Sequence, residues 1–153
     1  MSFHEIDELQ ISIHLQNIWA LMASNIICSP KSQNVKTSSL SRLQMMMQFI
    51  HVNYAENISL LDIAKAGEVS ISTALNLFRN ILNTTPVNYL ITYRLKKSAL
   101  LLTNTEKKVS AISIETGFSN ADYFCKTFKK TYCLTPSEYR NTKRNSDSLP
   151  QNH

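Results

Sequence analysis

The chain contains only two glycines, Gly67 and Gly117, and they stand fifty positions apart. At the same offset other residues recur: Phe78-Arg79 matches Phe128-Lys129, Thr85-Pro86 matches Thr135-Pro136, and Tyr89 matches Tyr139. Upstream of the glycines the offset slips by one, with Ile58-Ser59 falling on Val109-Ser110 and Ile63 on Ile114. An internal repeat of this length signals two copies of one supersecondary unit. Two copies are too few for a solenoid, so the repeat constrains the chain to paired units inside one compact helical domain.

The second copy shows what the unit is. From Gly117 to Arg140 the sequence reads GFSNADYFCKTFKKTYCLTPSEYR. Gly takes the positive φ that ends one helix and redirects the backbone. Ser119 and Asn120 then offer side-chain oxygens to the first free amides of a new helix. Phe124, Phe128 and Tyr132 recur at helical spacing, while Asp122, Lys126, Lys129 and Lys130 occupy the other face. Thr135-Pro136-Ser137-Glu138 restarts the chain with an N-cap, a Pro at the first helical position and a Glu placed for a capping box. Helix end, sharp turn, basic helix, turn and helix is the layout of a DNA-reading helix-turn-helix.

The other segments follow from periodicity and capping signals. Ile6, Leu9, Ile13, Trp19, Leu21, Met22, Ile26 and Ile27 predict a helix over 5–27, with more apolar surface than one face on a small domain needs. Residues 29–39, SPKSQNVKTSS, are polar without periodicity and read as a linker reaching residue 40. Leu43, Met46, Met47, Ile50 and Tyr54 then follow helical spacing. Ser59-Leu60-Leu61-Asp62 opens the first unit as a capping box. Its reading helix is predicted from Ser70 or Ile71 to Leu82, with Ala74, Leu77, Phe78 and Ile81 facing inward.

Pro86 opens a long helix to Leu102, with Leu90, Tyr93, Leu95, Ala99 and Leu102 toward a core and Arg94, Lys96 and Lys97 exposed. About sixteen residues at 1.5 Å each give a strut of roughly 24 Å. That suits two units meant for consecutive major-groove faces, which recur about every 34 Å. Ser110 is the expected cap of the next helix, Ala111 to Thr116. The predicted fold is all-α, divided into an N-terminal helical segment (1–28), a linker (29–40), the paired-unit domain (41–141) and a disordered tail (142–153).

Charge points to a partner. The formal net charge is +5, yet residues 1–30 hold three acids and no Lys or Arg, so all sixteen basic residues lie in the remainder. An acidic head on a basic body suggests a polyanion partner for the body alone. Three cysteines at unrelated spacings argue against a disulfide framework. No apolar run reaches the ~18 residues of a membrane span. Glu5, Asp7 and Glu8 stand where a signal peptide would be basic, so the expected compartment is the cytoplasm. His4, His14, His51 and His153 are scattered without metal spacing, and two glycines cannot make a phosphate loop. Neither an enzyme nor a metal or cofactor site is expected.

The segment from Leu43 to Asn141 resembles the DNA-binding domain of the AraC/XylS family of bacterial transcription regulators. The resemblance rests on Ile58-Ser59-Leu60-Leu61-Asp62-Ile63-Ala64, Phe78-Arg79, Thr85-Pro86-Val87-Asn88-Tyr89-Leu90, Tyr93-Arg94-Leu95, Gly117-Phe118-Ser119, Tyr123-Phe124, Phe128-Lys129-Lys130 and Thr135-Pro136-Ser137-Glu138-Tyr139-Arg140. It implies tandem homeodomain-like units joined by a linker helix, and duplex DNA as the partner. RNA polymerase becomes a candidate second partner. Residues 1–28 look like the last helical part of a sensor and dimerisation domain, a candidate homodimer surface, while no effector is implied. One departure stands out: the family often has Gly just before the apolar residue of the first turn, where this chain has Glu68, with Gly67 one position early.

In the first reading helix Ser72, Thr73, Leu75 and Asn76 are left to face bases, since small hydroxyls and Asn meet base edges and Leu can touch a thymine methyl. In the second, the resemblance places Ala121, Asp122, Tyr123 and Lys126 at base-contact positions. Lys126 can donate to guanine and Asp122 can accept from cytosine, while Tyr123 is either a reader or half core. Arg79, Arg94, Ser119, Asn120, Lys129 and Lys130 suit phosphates, which fix register without reading sequence. The rival reading is a protein-interaction module that pairs with a full-length relative and antagonises it without touching DNA.

Overall fold

The computed structural model describes residues 30–147. Within them seven helices follow one another, with no strand among the described residues. They are α1 (Pro30–Asn53), α2 (Leu60–Ala66), α3 (Ile71–Leu82), α4 (Pro86–Asn104), α5 (Val109–Glu115), α6 (Ala121–Tyr132) and α7 (Pro136–Asp147). The helix expected over 5–27 lies outside the described residues, as does the end of the tail from residue 148. None of the described helices is long and apolar enough to cross a membrane.

The two outer boundaries of the helical domain differ from expectation. The backbone is helical from Pro30, across most of the stretch read as a linker. Pro costs a helix nothing at its first position, where the missing N–H would have no partner, and a polar helix has no hydrophobic period to read. At the other end α7 runs to Asp147, past residue 141 where the ordered chain was expected to stop.

Two cores share one helix. Leu43, Met46 and Ile50 of α1, Ile63 and Ala64 of α2, Ala74 and Phe78 of α3, and Leu90 of α4 are buried together. Leu95, Ala99 and Leu102 of α4 are buried with Ile112 of α5, Phe118, and Phe124 and Phe128 of α6. So the N-terminal part of α4 closes the first bundle and the remainder closes the second. Tyr139 of α7 meets Phe128 edge-on, with ring centroids 5.4 Å apart. At the first bundle, His51 Nε2 lies 2.8 Å from the Tyr89 hydroxyl, and its ring stacks on Tyr93 at 4.3 Å. Burial, then the charges of Lys97 and Lys96, push the His51 pKa down.

The fifty-residue repeat holds in space from the reading helices onward. Residues 71–80 and 121–130 share one burial pattern position by position. Upstream, however, the true offset is forty-nine. Gly67 ends α2 where Thr116 ends α5, and Glu68 (φ 53) takes the left-handed conformation that Gly117 (φ 86) takes in the second unit. In each unit two amides close the helix end: Glu68 N donates to Lys65 O at 2.9 Å and Val69 N to Ala64 O at 3.1 Å. Likewise Gly117 N donates to Ile114 O at 3.0 Å and Phe118 N to Ser113 O at 2.9 Å. One extra residue in the second turn then restores the offset of fifty.

This register corrects two expectations. The counterpart of buried Ile63 is buried Ile112, whereas Ile114 is 73% exposed. The N-cap of α5 is Lys108, with no side-chain cap bond, and Ser110 lies inside the helix with its carbonyl accepting from Ser113 Oγ. Gly67 is needed for a reason other than φ. A Cβ there would stand 2.7 Å from Met46 Cγ and 3.1 Å from Arg42 O.

Candidate nucleic-acid interface

Each reading helix is set by a cap and a left-handed exit. Ser70 Oγ accepts from Thr73 N at 3.2 Å to start α3, and the Thr73 hydroxyl lies 2.9 Å from the same oxygen. Asn120 Oδ1 accepts from Tyr123 N at 3.0 Å to start α6. The exits are Asn83 (φ 52) and Cys133 (φ 61). Thr85 and Thr135 then cap α4 and α7, and Thr135 completes its box by donating its amide to Glu138 Oε2 at 2.8 Å. The Thr135 amide and hydroxyl, with Lys129 nearby, hold the Glu138 carboxyl below its ordinary pKa.

The inward faces leave a clear outward set. On α3, Ser72, Thr73, Asn76 and Arg79 are exposed, while Leu75 is half-buried. On α6, Ala121, Asp122, Tyr123, Lys126, Lys129 and Lys130 are exposed, as are Ser119 and Asn120 just before it. Tyr123 is 51% exposed, so it belongs to the outward face, with its ring 6.3 Å from that of Phe118. Two outward residues are not among the sequence candidates: Ile71, 39% exposed, stands where Ala121 stands in the second unit, and exposed Asn80 stands where Lys130 stands. The fifty-residue offset is the signal that points to both, and the same offset puts Leu75 on the half-buried Cys125 position.

Electrostatically the two faces are unequal. Exposed α6 carries three lysines and one acid, whereas exposed α3 carries Arg79 alone. Asp122 sits in the first turn of α6, where a carboxylate is favoured by the helix dipole. Lys107 is occupied by Glu115 at 2.7 Å, and Lys97 lies over the Tyr93 ring at 5.4 Å.

Arg94 departs from its expected role as an exposed phosphate clamp. Its Nε donates to Tyr54 O at 2.6 Å and its Nη2 donates to Glu56 O at 2.7 Å, both in the loop after α1. Its guanidinium carbon also lies 5.9 Å from the centre of the Phe118 ring. Burial pulls its pKa down from the free value. The cause is geometric: α4 passes that loop, whose carbonyls lack helical partners, and Arg presents two donors in a fixed fork.

Comparison with known proteins agrees with this arrangement. Residues 63–142, just over half of the chain, match a family described as a helix-turn-helix domain. An uncharacterised helix-turn-helix transcriptional regulator of Bacillus subtilis, YdeC, is 37% identical over 91% of this chain and 46% of its own length. The transcriptional activator RhaR of Mannheimia succiniciproducens is 32% identical over 84% of this chain and 47% of its own length. The chain therefore spans about half the length of these curated relatives. Among solved structures, a Chromobacterium violaceum regulator with an AraC-type DNA-binding domain superposes with a TM-score of 0.65 at 30% identity, over 70% of this chain and 96% of that one. The DNA-binding domain of AdpA, solved with a target DNA, shares the fold at a TM-score of 0.66 and 20% identity, over 71% of this chain and 97% of that one. With its paired helix-turn-helix units on one linker helix, the chain belongs to the AraC family of transcription regulators, a class of DNA-binding proteins rather than of enzymes.

Proposed function

We propose that the chain binds duplex DNA in a sequence-specific way, with α3 and α6 in two consecutive major grooves, and that it regulates transcription by doing so. The observation that carries this is the repeated outward face. Two helices with one burial pattern, held on the shared helix α4, expose different polar residues at matching positions. In the first groove Ser72, Thr73 and Asn76 meet base edges, and Ile71 takes the thymine-methyl contact for which Leu75 is less well placed. In the second, Lys126 donates to guanine, Asp122 accepts from cytosine, and Ala121 and Tyr123 fill the groove floor. Arg79, Ser119, Asn120, Lys129 and Lys130 hold phosphates and set register.

The roles are separable by experiment. On a site selected from random DNA, Lys126→Ala is expected to relax preference at one or two base pairs and cost about 1–3 kcal/mol. Lys129→Ala is expected to weaken all sequences alike and reduce the salt slope by about one. Binding isotherms on selected and random duplexes across a salt series measure both. Equal losses for the two variants on both kinds of DNA would refute the division of labour.

A further inference from the structure

The two bundles meet in a narrow way. No helix among α1, α2 and α3 packs extensively against α5, α6 or α7, so α4 is the main link between them. The second link is a loop contact at the middle of α4. Arg94 lies between Leu90, buried in the first core, and Leu95, buried in the second. From there it donates to Tyr54 O and Glu56 O of the first bundle and lies over Phe118 of the second. Gly117 closes the contact from the other side. A Cβ on it would stand 2.6 Å from Tyr54 O, 2.8 Å from Arg94 Nε and 2.9 Å from Ala55 O. The turn that aims α6 is therefore seated directly on the backbone of the loop that precedes α2.

We infer that Arg94 and Gly117 form a latch that fixes the register between the two readers, which makes Arg94 a positioning residue for the spacing of the DNA target. The inference rests on the two-groove reading above. A latch of this kind acts on geometry rather than on base identity. Inserting one base pair between the two contacted segments moves the second by about 3.4 Å and turns it by roughly 35°. A locked pair of readers cannot follow that displacement, whereas a pair joined through α4 alone can bend and twist toward it. Lys at position 94 keeps the charge, but its single nitrogen cannot bridge two carbonyls as a guanidinium fork does.

The test uses the full chain on its selected site and on versions with one base pair inserted or removed at the centre. Wild type is expected to lose about tenfold or more in affinity with either change. Arg94→Ala and Arg94→Lys, each shown to melt cooperatively, are expected to bind the original spacing more weakly and to lose no more than about threefold on the altered ones. If the alanine variant does not fold, the lysine variant carries the comparison. Amide residual dipolar couplings of the free wild-type chain give a measurement independent of any variant, and the two bundles are expected to fit one alignment tensor. A need for two tensors in wild type, or an undiminished spacing penalty in a folded variant, overturns the latch. A wild-type footprint confined to one groove would instead sink the two-groove reading, and the latch with it.

Discussion

Glu68 and Gly117 perform the same backbone task with different means. Both sit in the left-handed region, just after a helix that ends in paired amide bonds, but Glu68 carries a Cβ that this region penalises. Nothing on the backbone requires that side chain: the contact from Arg42 reaches the Glu68 carbonyl, at 3.2 Å. Replacing Glu68 by Gly is expected to raise stability by about 0.5–1 kcal/mol, the gain from relieved φ being offset in part by a more flexible unfolded chain. Gly117→Ala is expected to do the reverse and by more, since its new Cβ would also strike two carbonyls and Arg94. Urea unfolding of the two variants measures both, and a fall in midpoint for Glu68→Gly contradicts the reading of this turn.

The starts of α2, α3, α4 and α6 were legible from a side-chain oxygen one residue ahead of the first turn. Ser59, Ser70, Thr85 and Asn120 all accept a backbone amide in the structure, as their sequence positions suggest. α5 has no such cap, and there the sequence misled: Ser110 resembles a cap but lies inside the helix, because the first turn already closes from Ile112 N to Lys108 O. Asn120→Ala is accordingly expected to cost about 0.5–2 kcal/mol of stability. Ser110→Ala, which removes no cap, should stay within about 0.5 kcal/mol of wild type. Denaturant midpoints compare them, and an equal loss for both would restore Ser110 as a cap.

The start of α1 escaped because a polar helix leaves no period, and Arg94 escaped for a different reason. Its acceptors are main-chain carbonyls forty and thirty-eight residues away, and no side-chain pattern marks a distant carbonyl as an acceptor. By contrast, the outward faces of α3 and α6 were read almost completely, since the inward stripes Ala74, Phe78 and Phe124, Phe128 dictate which residues remain outside.

Taken together, the described helices form two readers on one covalent strut, and this asymmetry dictates the form of the target. A symmetric dimer of single readers copies its two-fold axis into a palindrome. Here one chain presents Ile71, Ser72, Thr73 and Asn76 on one reader and Ala121, Asp122, Tyr123 and Lys126 on the other. Each chain should therefore read an asymmetric sequence about two helical turns long, on one face of the duplex. The α6 half should dominate, because Lys126, Lys129 and Lys130 outnumber Arg79. Hydroxyl-radical footprinting with methylation interference, on the site selected by the full chain and with the number of bound chains counted by sedimentation, tests this. The expected result is two major-groove contact patches per chain, about 10 base pairs apart and different in sequence, with the stronger protection under α6. Contacts limited to one groove per chain, or a strict palindrome that binds only paired chains, would contradict it.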